Sequence, residues 1–422
     1  MTFFWVALAA SAATLFILLI VQNATSRERK VDYQISPFAA GDPTFRRCMD
    51  HLLGPPLVDG NTIRSLINGD EIFPAMMQAI RSATRSITFE TYIYWSGDIG
   101  KAFSELLAER ASAGVRVHVL LDWVGSAKLD EKALDQMKRA GVQVIKYRPL
   151  RWYNLSRVNS RTHRKILVVD GRTGFIGGVG IADQWTGNAQ DPEHWRDSHF
   201  QVEGPAVAHL QAAFLDNWLR TREEVLNEDA YFPPLEPSGD VLAQVFKSSP
   251  REGSGSVRLM FLMSIASAQH QILIANSYFV PDDACVDALV AARKKGVRVE
   301  VIVPGHYIDT KVTRRASRSR WGKLLESVVK IFEYQPTMYH CKVMVVDNCW
   351  TTVGSTNFDN RSFRLNDEAN LNLLDEAFAN SQIQVFQNDR QRSREVTLEE
   401  WQNRPWREKI VEFIASLVRS QV

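Results

Sequence analysis

HRKILVVDGRTGFIGG, residues 163–178, and HCKVMVVDNCWTTVGSTN, residues 340–357, are the two stretches on which the fold turns. Both obey the pattern H-x-K-x4-D-x6-G. A histidine and a lysine two positions apart on extended chain point to the same face, with Arg164 and Cys341 on the opposite one. The four apolar residues after each lysine suit a buried strand. Asp170-Gly171 and Asp347-Asn348 supply turn residues for a hairpin. The return strands reach Gly177 and Gly354, where a missing side chain permits close approach.

Working outward, the duplication extends beyond the motifs. AGVRVHVLLD at 113–122 matches KGVRVEVIVP at 295–304. Apolar spacing predicts a helix over 72–83, a strand over 87–94, a helix over 101–113 and a strand over 115–121. The same succession returns later: a helical stretch ending at 265–268, a strand over 271–280, a helix over 284–295 and a strand over 297–303. Strands alternating with helices predict α/β architecture. The expected fold is two tandem α/β domains, 61–230 and 257–400, facing each other about a pseudo-twofold axis. Residues 31–60 and 231–256 are rich in Pro, Gly and Ser and read as linkers, the second around a short strand, Val241–Phe246. Residues 401–422 read as an amphipathic C-terminal helix. His118, His209 and His270, outside the motifs, read as core histidines.

The 422 residues are 45% hydrophobic and 23% charged. That excludes global disorder and a polytopic membrane bundle. The net charge is only +2, too small a basic excess for a dedicated nucleic-acid binder, so no nucleic-acid partner is expected. Cys48, Cys285, Cys341 and Cys349 form no CxxC pair and read as free thiols.

Phe3–Val21 runs without a charge. At about 1.5 Å per residue it covers roughly 28 Å, close to the hydrocarbon thickness. Arg27, Arg29 and Lys30 follow it and no basic residue precedes it. Residues 1–30 therefore read as a single transmembrane anchor with the body on the cytoplasmic side. A cleaved signal peptide is the alternative, opposed by the missing basic n-region.

Pairing the halves would gather His163, Lys165, His340 and Lys342 around one anion. Neutral imidazole is a competent nucleophile near neutral pH, and two ammonium groups can hold non-bridging phosphate oxygens. This describes a phosphodiester site.

At these residues the sequence resembles the phospholipase D superfamily, whose H-K-D motif this is. Through GSTNFDNRSFRLNDEANL (354–371), WRDSHFQVEGPAV (195–207) and YFVPDD (278–283) it looks like the bacterial cardiolipin synthase branch. The resemblance implies one active site shared by both halves and a ping-pong reaction through a phosphohistidine. It implies phosphatidyl transfer between two phosphatidylglycerol molecules at the bacterial inner membrane, with no cofactor and no metal. It assigns His163 as nucleophile and His340 as acid and base. Glu368 is implied as an orienting carboxylate, Asp197 as the counterpart orienting His163, and Asp170 and Asp347 as structural braces. Ser355 and Asn357 are expected around the phosphate or behind the histidines. The family often carries Asn three residues after the motif glycine; Asn357 fits, but the first copy has Gly180. A hydrolytic phospholipase D and a nuclease of the same superfamily stay open as alternatives.

Two more segments bear on membranes. Lys311, Arg314, Arg315, Arg318, Arg320 and Lys323 form a basic cluster that either binds anionic headgroups or is a solvated helix face. Trp406, Ile410, Phe413, Ile414 and Leu417 make an apolar stripe that either packs on the body or lies in the bilayer interface.

Overall fold

The computed structural model describes residues 34–36, 38–149, 160–249 and 256–417, with Trp5 and Thr14. The anchor expected over residues 1–30 and the last five residues of the chain thus lie outside the described residues, those two positions apart. Among the described residues, no helix is long and apolar enough to cross a membrane.

The first half contributes strands β1 (Val58–Ile67), β2 (Ser86–Thr91), β3 (Arg116–Asp122), β4 (Gln143–Tyr147), β5 (Ile166–Val169), β6 (Thr173–Gly177) and β7 (Ser198–Glu203). The second repeats them as β8 (Val241–Ser248), β9 (Gln271–Asn276), β10 (Arg298–Pro304), β11 (Lys330–Tyr334), β12 (Lys342–Val346), β13 (Trp350–Gly354) and β14 (Glu368–Leu374), and adds an edge strand β15 (Ser393–Val396). All fifteen join one sheet in the order β15-β11-β10-β9-β12-β13-β14-β8-β1-β7-β6-β5-β2-β3-β4. Read outward from the centre, the two halves have the same order, which is the pseudo-twofold. Its axis falls between β1 and β8, which pair antiparallel.

The strands that read alternately do alternate. Val117, Val119 and Leu121 of β3 face one core, while Leu120 faces another that contains Tyr147, Phe214 and Trp218. His118 shares that second face, where its Nε2 lies 2.7 Å from the Tyr231 hydroxyl. His209 is half-buried against β8. His270 is exposed, contrary to the core reading, because it ends the turn before β9 rather than lying within it.

A core shared by both halves packs Ile166, Val168, Ile176 and Phe200 with Val245, Val353, Leu371 and Phe378. It covers the centre of the sheet, so the halves are not tethered beads. Of the two segments read as linkers, the described residues hold a helix and a central strand of this body. Within 31–60, Pro43–Leu52 is a helix capped by Asp42, whose carboxylate accepts from Thr44 N at 2.6 Å. It docks on the second half through Phe45, whose ring meets Trp350 edge-on at 4.9 Å. Within 231–256, the short strand is β8, hydrogen-bonded on both sides to β1 and β14. Its described Pro- and Gly-rich flank, residues 231–240, leads into a central strand rather than forming a tether.

Candidate active site

β5 and β12 begin at Ile166 and Lys342, so the motif histidines sit in the extended lead-ins just ahead of them. Each lead-in is stitched to the opposite half. His163 N donates to Asp367 O at 2.8 Å, and His340 N donates to Arg196 O at 2.8 Å. The bridges Thr162–Asp367 and Arg196–Tyr339 run alongside. The segments just before Glu368 and Asp197 are therefore brought against the motifs of the other half.

The rings follow the backbone. His163 Nδ1 lies 3.0 Å from both oxygens of Glu368. His340 Nδ1 lies 2.7 Å from Asp197 Oδ2. Asp197 therefore orients His340, not His163 as expected, and Glu368 orients His163. The expectation paired groups within a half, whereas the stitched lead-ins cross the pseudo-twofold.

Each carboxylate is itself fixed. Glu368 accepts from Ser355 Oγ at 2.5 Å and from Ser362 Oγ at 2.7 Å. Asp197 accepts from Trp185 Nε1 at 3.0 Å and from Ser198 N at 2.8 Å. Ser355 thus stands behind Glu368 rather than facing the cavity. The position matching Ser355 is Gly178, and a Cβ there would come within 2.3 Å of Asp197 Oδ1. The first motif needs glycine at that point because its carboxylate fills the space.

The chemistry of the four basic groups follows from burial. Burial drives His163 down to about 4, against the upward pull of Glu368. Burial and Lys342 also lower His340, against Asp197. Both rings are thereby neutral near pH 7. Burial would raise Glu368 and Asp197, but the histidines and lysines beside them hold both below the usual carboxylate range. Burial takes Lys165 down to about 7 and lowers Lys342 as well.

Lys165 Nζ donates to the His163 carbonyl at 2.8 Å, and Lys342 Nζ to the His340 carbonyl at 2.5 Å. Lys342 also donates to Ser277 Oγ at 2.9 Å, and Ser277 Oγ to Asn357 Oδ1 at 2.8 Å. In the first half Tyr92 takes the place of Ser277; its ring lies 5.4 Å from His163 and 5.7 Å from Lys165 Nζ. Asn357 has no counterpart because a Cβ at Gly180 would meet Ile93 Cβ at 2.7 Å. The two lysine environments are unequal for that reason.

Asp170 and Asp347 lie at the far ends of their strands. Asp170 accepts from the backbone N–H groups of Thr84, Arg85 and Ser86 at 2.8–2.9 Å. Asp347 accepts from those of Gln269, His270 and Gln271 at 2.8–3.0 Å. Each pins its hairpin to the start of the neighbouring strand. Asp170 and Gly171 both take left-handed backbone (φ 52° and 65°), as a tight two-residue turn requires. Gly177 and Gly354 are crowded by the adjacent strands, at Ser198–His199 and Ala369–Asn370.

His163, Lys165 and His340 open into one cavity of about 480 Å³, whose wall also includes Asn357. Trp185 and Trp195 enclose His340, with ring centroids 5.3 and 5.7 Å away. Arg161, Arg361, Tyr278, Asp309 and Asp359 are among the other polar residues of the wall. None of these seven was named as a site residue from the sequence, although Trp195, Tyr278, Asp359 and Arg361 lie in the three stretches that carry the resemblance.

A family model described as "Cardiolipin synthase, PLD-like domain" matches residues 76–218 and 261–390. Cardiolipin synthase A from a strain of Pseudomonas fluorescens is 36% identical over 355 residues, covering 84% of this chain and 74% of that one. Cardiolipin synthase A from a strain of Pseudomonas putida is 37% identical over 358 residues, with the same coverages. Among solved structures, phosphatidylserine synthase of Haemophilus influenzae superposes with a TM-score of 0.70 at 15% identity. The match covers 90% of this chain and all of that one. Polyphosphate kinase of Porphyromonas gingivalis gives 0.54 at 11% identity, covering 89% of this chain and 54% of that one. These two likenesses speak to the fold.

Proposed function

We propose, from the premise that this chain belongs to the cardiolipin synthase family of phospholipase D-like proteins, that it transfers a phosphatidyl group between two phosphatidylglycerol molecules. The products are cardiolipin and glycerol. The observation that carries this reading is the crossed support of the histidines: two imidazoles, each held through Nδ1 by a carboxylate of the opposite half, border one cavity.

The reaction is an exchange of one phosphodiester for another. With Nδ1 donating to Glu368, His163 turns Nε2 to phosphorus and attacks. The P–O bond to glycerol breaks, and His340 gives the leaving alkoxide a proton. His340 enters protonated because the arriving phosphate adds negative charge beside it, and Asp197 stabilises the imidazolium. The hydroxyl of a second phosphatidylglycerol then gives its proton to His340 and attacks phosphorus. This breaks the P–N bond and frees His163. Lys165 and Lys342 stabilise the charge on the non-bridging oxygens through both steps. Asp170 and Asp347 fix the hairpins and stay off phosphorus. The uncharged run 3–21, followed by Arg27, Arg29 and Lys30, supports a single-pass anchor in the bacterial inner membrane with this body on the cytoplasmic side.

The test is to incubate purified protein with phosphatidylglycerol vesicles, without nucleotide, and resolve the lipids. Cardiolipin with an equal amount of glycerol is expected. Phosphatidic acid as the main product would mean that water takes the place of the second lipid.

A further inference from the structure

The C-terminal helix Trp406–Leu417 is docked with its polarity reversed. An amphipathic surface helix ordinarily turns its apolar stripe to the core. Here the buried positions are Glu412 and Ala415. Glu412 is 3% exposed; its oxygens accept from Arg318 Nε at 3.0 Å and Arg404 Nε at 2.8 Å. Ala415 packs with Ala316 and Val280. The apolar stripe faces out. Trp406 is 65% exposed and Phe413 64%, and Ile410, Ile414 and Leu417 are exposed with them. Of the two alternatives read from the sequence, packing of the stripe on the body does not occur.

The flanks are informative. At about 100° per residue, Glu412 and Ala415 lie opposite the stripe, and the exposed Arg407 and Lys409 fall about 80° to either side of it. An apolar stripe edged by cations is the layout of a helix lying in a bilayer interface. Its apolar residues sink among acyl chains while Arg and Lys stems carry their charges up to phosphates.

We propose that Trp406–Leu417 is an interfacial helix that seats the body on a bilayer of anionic phospholipid, beside the active-site cavity. The choice of occupant rests on the phosphatidyl-transfer reading, since its substrate resides in the bilayer. Charge and placement favour a lipid surface over a second copy of the chain. The supporting helix, Lys311–Ser319, carries Ala415 through its Ala316 and lends Thr313 to the cavity wall. The stripe is thus one helix away from the cavity. Of the basic cluster on and after that helix, Arg314, Arg318 and Arg320 are paired within the body, with Glu333, Glu412 and Asp283. Lys311 and Arg315 are exposed, without a recorded ion pair among the described residues, and remain to meet headgroups.

The test uses full-length protein in vesicles of phosphatidylglycerol and phosphatidylcholine. An environment-sensitive fluorophore is placed on Phe413→Cys or on Gln402→Cys, in a Cys48→Ser, Cys349→Ser background. The label at 413 should shift to the blue and be quenched by lipid-borne quenchers; the label at 402 should stay in water. The triple variant Ile410→Ser, Phe413→Ser, Ile414→Ser should lose about tenfold or more of its turnover on vesicles. It should keep its rate on short-chain phosphatidylglycerol dissolved as monomers. A label at 413 as wet as that at 402, or wild-type turnover of the triple variant on vesicles, overturns the proposal. So does a label at 413 that is already blue in detergent and untouched by lipid quenchers, which would mean that protein covers the face. A deep label on a wild-type protein inactive toward both substrates would sink the transfer reading and leave the interfacial helix standing.

Discussion

His163 and His340 are alike in sequence but differ in what stands behind them. Glu368 is locked by two serine hydroxyls, Asp197 by an indole and a backbone N–H. Glu368→Gln and Asp197→Asn keep size and remove charge. Each is expected to lower kcat by roughly 10²- to 10⁴-fold with little change in KM, measured on phosphatidylglycerol vesicles, because the imidazole loses its tautomer and its charge partner. Lys165 sets a pH limit. Its ammonium form is present below about 7 and is lost above it, since burial lowers its value. Phosphate attraction weakens with it, so kcat/KM should fall as pH rises through about 7. Lys165→Arg keeps a fixed charge and should take away the lysine's part of that fall, leaving the part set by His340, which the proposed route needs protonated; a profile unchanged in this variant would assign the whole limb to another group. At this scale the motif was legible because spacing and duplication coincide. The partner of each histidine was not, because it depends on how the lead-ins at 162–163 and 339–340 cross between halves.

Elements carry the next layer. The hairpins β5–β6 and β12–β13 hold the motifs, and each is tied to the neighbouring strand by one carboxylate accepting from three backbone N–H groups. Asp347→Ala strands those donors, of which the Gln271 N–H is buried and the other two part-buried. It should cost about 1–3 kcal/mol, read as a lower urea midpoint, while kcat measured well below the unfolding transition stays within a few-fold of wild type. A collapse of kcat with unchanged stability would instead put Asp347 in the chemistry. The strands at 115–121 and 297–303 were legible from alternation alone. The helix Pro43–Leu52 was hidden by the prolines and glycines around it, although Asp42-Pro43 is a good helix start. For β8 the short apolar run was visible, but its place at the centre of the sheet depends on pairing with β1 and β14. Likewise the stripe of Trp406–Leu417 was legible, while the side it turns to the body is decided by Glu412 finding Arg318 and Arg404.

The described strands form one continuous sheet with the candidate site at its pseudo-twofold, and neither half holds both members of a histidine–carboxylate pair. A histidine from each half and a carboxylate from the other must meet within one chain. Mixing inactive His163→Ala and His340→Ala proteins should therefore restore no activity. Recovery toward a quarter or a half of wild type, as random pairing across subunits would give, would mean that the site forms between chains.

The duplication explains why two histidines exist; the proposed route uses them to attack phosphorus twice, first by His163 and then by the acceptor hydroxyl. The most direct measurement is the stereochemical course at phosphorus, with phosphatidylglycerol made chiral at its phosphate by isotopic oxygen and sulfur. Two successive in-line displacements, through His163 and then by the acceptor hydroxyl, predict retention of configuration in the cardiolipin formed. Inversion would mean that one lipid attacks the other directly and that no phosphohistidine lies on the path.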